Sequence, residues 1–124
     1  MASTVIPRML TSGELLWENN SPTSPMDPRV IPISKLANYK FVLIIFRMKA
    51  SSASYKCSNM TCVDGGSYVA VCPNWDTNIN IIRGRSYIVT TTGIDFKNGY
   101  KLETYGVATA DSDSMVPVAI YGLN

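Results

Sequence analysis

The side chains that could carry acid–base chemistry are few in this sequence and lie mostly in predicted turns. There is no histidine, which excludes the most common general base and the Ser-His-Asp and Cys-His nucleophilic arrangements. Among nine carboxylates, no pair stands out as the acid and base of a glycoside hydrolase. Asp111-Ser112-Asp113 begins like a calcium loop but lacks the glycine and closing glutamate of an EF-hand, which favours a solvated loop. We therefore predict a protein that is not an enzyme and that binds no metal and no cofactor.

The three cysteines, Cys57, Cys62 and Cys72, are an odd count, which argues against a framework of disulfides. Without histidine, a zinc site would need a carboxylate or a second chain to supply its fourth ligand. The pattern favours reduced thiols that pack as small apolar residues. A single bridge between Cys57 and Cys62 is the alternative that the spacing leaves open.

Aromatic side chains near predicted turns and strand ends are the remaining candidates for a binding site. An exposed ring can stack on a sugar or on a partner protein, whereas the competing interpretation places half or more of these rings in the core, because aromatic residues favour strands. Trp75, in the segment Pro73-Asn74-Trp75-Asp76, is the preferred ligand-binding candidate. The other candidates are Tyr55, Tyr68 and Tyr100.

The composition limits the partners that we expect. Charged residues make up only 16% of the 124 residues, and the net charge is +2. The densest basic cluster, Arg83-Gly84-Arg85, is too small for a nucleic-acid footprint. The longest apolar run is far shorter than a membrane span, and the first residues lack the pattern of a signal peptide. We expect no nucleic-acid partner and no membrane insertion.

The element that organises the predicted fold is the apolar run between Lys40 and Arg47. Six consecutive apolar residues, rich in Val, Ile and Phe, predict a strand that is buried on both faces, which requires a second sheet over it. No stretch keeps a helical period of 3.6 residues, and turn signals recur about every ten residues. The sequence therefore predicts an all-β protein, an antiparallel β-sandwich or jelly roll of about eight strands with no long helix.

The predicted boundaries follow from glycine and proline. Residues 1–12 are interpreted as a lead-in or attachment segment and residues 13–124 as the sandwich domain. Asp64-Gly65-Gly66 predicts a turn, and Gly84 predicts a bulge or bend between two strands. Lys97-Asn98-Gly99 predicts a hairpin turn with a return strand over 100–107, because Asn-Gly tolerates positive φ at both central positions.

Several short motifs stand in a fixed order at the two ends of the chain. Residues 13–24 hold Leu-Trp, then Asn, a polar step and Pro-Thr-Ser, and residues 36–39 form a Leu-x-x-Tyr step into the apolar strand. Residues 90–100 read Thr-x-x-Gly-Ile-x-Phe and then Asn-Gly-Tyr, and residues 117–122 read Pro-x-x-Ile-Tyr-Gly. In this order they resemble a domain of bacteriophage tail-fibre, baseplate and head-fibre proteins. Residues 48–78 are not matched.

This resemblance implies a jelly-roll head that forms a homotrimer, contacts other virion proteins and attaches the virion to a bacterial surface polysaccharide. It implies assembly in the host cytoplasm and a final location in the virion. The unmatched middle would be the variable, specificity-bearing surface. The alternative function is a capsid decoration or head-fibre protein with a purely structural role, in which an exposed apolar surface forms an oligomer. The family supplies no catalytic residues to transfer.

Overall fold

Nine strands form two antiparallel sheets in the computed structural model, which describes residues 13–49, 54–75, 80–103 and 106–124. The strands are β1 (Glu14–Glu18), β2 (Arg29–Pro32), β3 (Phe41–Lys49), β4 (Ser54–Cys62), β5 (Ser67–Trp75), β6 (Asn80–Val89), β7 (Gly93–Glu103), β8 (Thr109–Ala110) and β9 (Val116–Leu123). The helical element of this part of the chain is one short 3₁₀ helix, Ser34–Asn38. The predicted all-β sandwich is confirmed, and the lead-in predicted for residues 1–12 lies outside the described residues.

The two sheets use different parts of the chain. The four-stranded sheet, called here the front sheet, has the order β1-β9-β3-β4. The back sheet has the order β2-β7-β6-β5, and β8 pairs with β7. The predicted turn at Asp64-Gly65-Gly66 is confirmed: it carries the chain from edge strand β4 to edge strand β5, and Gly65 has a φ of +78° that favours glycine. This turn joins the sheets at one edge of the sandwich.

Strand β3 lies in the middle of the front sheet, between β9 and β4, as its apolar run predicts. Val42, Ile44 and Phe46 are fully buried and face the back sheet. Leu43 and Ile45 point to the opposite face and are only half-buried. The prediction of burial on both faces is therefore wrong, because the described part of the chain places no further layer over the outer face of this sheet.

An aromatic cluster joins the two sheets at the centre of the core. Phe46 of the front sheet contacts Tyr87 and Phe96 of the back sheet, with ring centroids 5.9 and 6.3 Å away, and the latter two are 5.6 Å apart. Asn59 donates a hydrogen bond of 2.6 Å to the Tyr87 hydroxyl oxygen, which satisfies the polar end of a fully buried ring. The tilted and edge-on ring geometries are those that aromatic pairs prefer.

The hairpin turn predicted at Asn98-Gly99 is wrong, because β7 continues straight through these residues. Instead, the pairing of β7 with β6 shifts between Arg85 and Tyr87, so that β7 carries an extra residue in a bulge. Glycine is required at 99 because a Cβ atom there would lie 2.6 Å from the carbonyl oxygen of Ser114. The Asn-Gly pair thus marks a bulge beside a close backbone approach. Of the return strand predicted over 100–107, residues 100–103 are the end of β7.

Gly84 lies in regular pairing inside β6, opposite Val71 of β5 and Tyr100 of β7. The prediction of a bulge or bend at this glycine is wrong, and the irregularity occurs next to it, after Arg85. A Cβ atom at Gly84 would meet its neighbours at 3.4 Å or more, which is ordinary van der Waals contact. Backbone geometry therefore does not demand glycine at this position.

Candidate functional site

The four predicted ligand-binding aromatics do not form one site. Tyr55 lies near the start of β4 and Trp75 ends β5, so the backbone places both at the end of the sandwich opposite the β4–β5 turn. Their side chains lie outside the described residues. Tyr68 lies in the second position of β5, next to that turn and so at the other end, and Tyr100 lies between the two ends on β7. The backbone therefore does not bring all four residues together.

Tyr68 is occupied by contacts within the chain. Its hydroxyl donates a hydrogen bond of 2.8 Å to Asp64 Oδ1, and its ring lies 5.9 Å from the buried ring of Tyr87. The Tyr68 hydroxyl and the backbone N–H of Gly66 both donate to the Asp64 carboxylate, which lowers the pKa of Asp64 below its ordinary value. The same hydrogen bond raises the pKa of Tyr68. Tyr68 therefore stabilises the turn between the sheets.

The solvated loop predicted at Asp111-Ser112-Asp113 is wrong, because both carboxylates pair with largely buried arginines. Arg83 Nη1 lies 2.8 Å from Asp111 Oδ2, and Arg47 Nη2 lies 2.8 Å from Asp113 Oδ1. The fully buried Ser114 hydroxyl donates to Asp111 Oδ2. The arginines come from opposite sheets, so this loop bridges the two layers, and its carboxylates are already neutralised.

Arg85 holds the same loop from inside the core. Its side chain is only 1% exposed, and it donates to four backbone carbonyl oxygens: those of Lys97 (2.7 Å), Ser112 (2.9 Å), Ser114 (3.2 Å) and Met115 (2.9 Å). Burial lowers its pKa to about 10, since an isolated charge is costly in the interior. The Arg-Gly-Arg cluster is thus structural, and its hydrogen bonds offset the desolvation of the guanidinium.

The cysteines are free thiols in the structure, as the sequence predicts. Cys57 and Cys62 lie five residues apart on β4, so they face opposite sides of the sheet about 17 Å apart. A disulfide requires Cα atoms within about 7 Å, so the open alternative of a Cys57–Cys62 bridge is wrong. The described residues contain no group of three side chains suited to hold a metal ion.

The most unusual surface of the molecule is the outer face of the back sheet. Direct pairing places Val71, Gly84 and Tyr100 side by side, and it places Ile82 beside Leu102 in the next row. We call this surface the apolar face; its residues are Val69, Val71, Pro73, Ile82, Gly84, Ser86, Tyr100 and Leu102. None of them is charged, and its five large apolar side chains are between 38% and 59% exposed. Contiguous exposed patches of this kind mark interaction sites.

Sequence reasoning missed the apolar face, although a signal is present in β5. The alternation of Ser67 to Cys72 predicts a strand with one buried face. The inward set is Tyr68, Ala70 and Cys72, but the outward set includes Val69 and Val71 as well. A strand that faces water on one side normally alternates apolar with polar residues. Apolar residues on both sets indicate either a covered strand or an interaction surface.

A polar cleft of about 180 Å³ lies at the end of β1, beside the loop 19–28, which holds Pro22, Pro25 and Pro28. Trp17 and Arg29 line it, and the guanidinium carbon lies 6.0 Å from the centroid of the indole ring. Glu18 and Asn20 add an exposed carboxylate and an exposed amide. The cleft offers an aromatic ring together with hydrogen-bond donors and acceptors, which are the groups that a single sugar ring could use.

The chain was compared with protein families, curated proteins and solved structures. No protein-family model, no curated protein and no solved structure matches this chain. Across the described residues, no helix has the length and apolar character needed to cross a membrane. The features of this chain that bear on its function are the sequence motifs, the apolar face and the polar cleft.

Proposed function

We propose that this chain is a structural protein of a bacteriophage virion that self-associates through the apolar face, as a homotrimer. The observation that carries the proposal is the row of exposed Val71, Ile82, Tyr100 and Leu102 on an uncharged sheet surface. The order of the end motifs supports the virion assignment, and the nine-stranded sandwich is compatible with a fibre or decoration domain. The virion protein that binds this chain would determine whether it lies in the tail or on the capsid.

A second copy of this chain is the partner that fits the apolar face best. The face offers no charged group to a polyanion or an ionic ligand, and only Ser86 and Tyr100 carry side-chain hydrogen-bonding groups. Covering it removes apolar surface from water at about 25 cal/mol per Å². Interface centres are depleted in charge and enriched in tyrosine, as this face is.

The test is the solution mass of three proteins by multi-angle light scattering. The wild type should have three times the monomer mass of 13.6 kDa. Val71→Lys places a charge in the centre of the apolar face and should reduce the mass to that of a monomer. Met60→Lys is the matched control, because Met60 is also 58% exposed but lies on the outer face of the front sheet. A monomeric wild type, or a trimeric Val71→Lys, contradicts the proposal.

Attachment to a bacterial surface polysaccharide is the second candidate function, and the polar cleft is the observation that favours it. The Trp17 ring, the Arg29 guanidinium and the Glu18 carboxylate together can stack on a sugar and hydrogen-bond its hydroxyl groups. On an array of bacterial glycans, Arg29→Ala should lose at least tenfold in retention, while Lys35→Ala should not. An array that retains no wild-type protein, or that retains both variants equally, contradicts this role.

A further inference from the structure

Cys57 and Cys72 occupy matching positions on the two edge strands that the β4–β5 turn connects. Cys57 lies five residues before Cys62, where β4 ends, and Cys72 lies five residues after Ser67, where β5 begins. Because β4 belongs to the front sheet and β5 to the back sheet, the two cysteines face each other across the edge of the sandwich. The segments that join them to the turn have equal lengths.

Both side chains point into the space between the sheets. Cys57 is paired with the fully buried Phe46 and Cys72 with the buried Arg83, and each thiol is half-buried against the core. Cys57 Sγ lies 3.8 Å from Met115 Sδ, and the thiol of Cys72 is within hydrogen-bonding reach of Cys57. Burial is the larger cause and the neighbouring Cys72 the smaller one, and together they raise the pKa of Cys57 to about 12.

We propose that Cys57 and Cys72 form a disulfide that ties the two sheets together when the protein meets an oxidising, disulfide-containing environment. Inter-sheet disulfides of this kind are a known way to join the layers of a β-sandwich. The ladders of the two sheets contain no backbone hydrogen bonds between β4 and β5, so a covalent link would reinforce an edge that packing, the turn and the Asn59–Tyr87 hydrogen bond now hold. Cys62 takes no part, because it is exposed and five residues from Cys57 on the same strand.

The oxidant in this proposal is a small disulfide such as oxidised glutathione. The Cys72 thiolate attacks one glutathione sulfur, the glutathione S–S bond breaks, and one glutathione leaves as a thiol. The Cys57 thiolate then attacks the Cys72 sulfur of the mixed disulfide and releases the second glutathione. The chain loses two electrons and two protons, and the two glutathione thiols take them up. The thiolate of Cys57 is scarce at neutral pH, so the second step should accelerate about tenfold per pH unit between pH 7 and pH 9.

The experiment uses the full chain with Cys62→Ser, which removes the exposed thiol that would otherwise react first. After incubation with oxidised glutathione at pH 8.5, intact-mass spectrometry should show the loss of two hydrogens and no bound glutathione. The protease Asp-N cleaves before Asp64, so the peptides that carry Cys57 and Cys72 should stay joined until a reductant is added. The urea midpoint of the oxidised protein should rise by about 1–2 M, because the bridge closes a loop of about 15 residues.

The control carries Cys57→Ser together with Cys62→Ser and should stop at the glutathione adduct of Cys72. If the Cys62→Ser protein also stops at that adduct, or if it forms only dimers linked between chains, the proposal is wrong. It is also wrong if both thiols stay reactive toward a thiol reagent after oxidation. The wild type, mapped with Asp-N and then with cyanogen bromide, guards against an effect of the Cys62→Ser change itself. Cyanogen bromide cleaves after Met60 and separates Cys57 from Cys62, and a joined Cys57–Cys72 peptide is again the expected result.

Discussion

Replacement of Arg85 by lysine tests whether one buried guanidinium holds the loop 111–115 in place. Arginine donates to four carbonyl oxygens around a planar group, whereas lysine has one ammonium at a single point. We expect at least two of the carbonyls to lose their partner while staying buried. A hydrogen bond from a charged donor contributes about 1.5–3 kcal/mol, so the loss of two should lower the free energy of unfolding by about 3–6 kcal/mol. That loss is a large part of the roughly 5–15 kcal/mol that holds a domain folded.

The measurement is urea unfolding followed by circular dichroism, with the slope of the transition compared between proteins. Arg29→Lys is the control, because Arg29 is exposed and its described contact is the indole ring of Trp17, so its loss should stay below about 1 kcal/mol. If Arg85→Lys loses less than about 1 kcal/mol with an unchanged slope, the four hydrogen bonds do not carry the stability assigned to them.

Three further predictions follow from single contacts. Gly99→Ala should lower the free energy of unfolding by about 1–3 kcal/mol, because the loop backbone must shift, and a urea midpoint equal to that of the wild type would refute it. Tyr68→Phe should raise the pKa of Asp64 toward 3.8 in an NMR titration. In the wild type, the contribution of this carboxylate to the free energy of unfolding should vanish as the pH falls through its lowered pKa. The raised pKa of Cys57 means that the unfolded chain loses this proton first, so stability should decline from pH 9 to pH 12. Cys57→Ala should show a smaller decline in urea midpoints, because the raised pKa values of Tyr68 and Tyr87 still lower the stability above pH 10.

Patterns that depend on neighbours in sequence predicted the fold well. The apolar run of β3 and the glycine turn at 64–66 act through local geometry, and each lies where the sequence placed it. The class of fold could therefore be predicted from the period of apolar residues and from the turn residues.

Features that depend on partners distant in sequence could not be predicted. Asn98-Gly99 has the composition of a hairpin turn, but the approach of the loop at Ser114 makes it a bulge. The sequence around Asp111 and Asp113 is typical of a solvated loop, but in the fold Arg83 and Arg47 from opposite sheets pair with these carboxylates. The apolar face has the same origin, since three strands must align before separate exposed side chains become one surface.

The pairing of β9 between β1 and β3 also governs when the protein can fold during synthesis. Strands β1 and β3 are made early, but in the front sheet they are separated by a strand from residues 116–123. The meander β5-β6-β7 is built from strands that follow one another closely in sequence, so the contacts within it are available sooner. The first half of the chain therefore stays incompletely folded, with the apolar run of β3 exposed, until β9 has left the ribosome. A chain that ends at residue 110 would have a back sheet but no strand to close the front one, and it would be a target for chaperones.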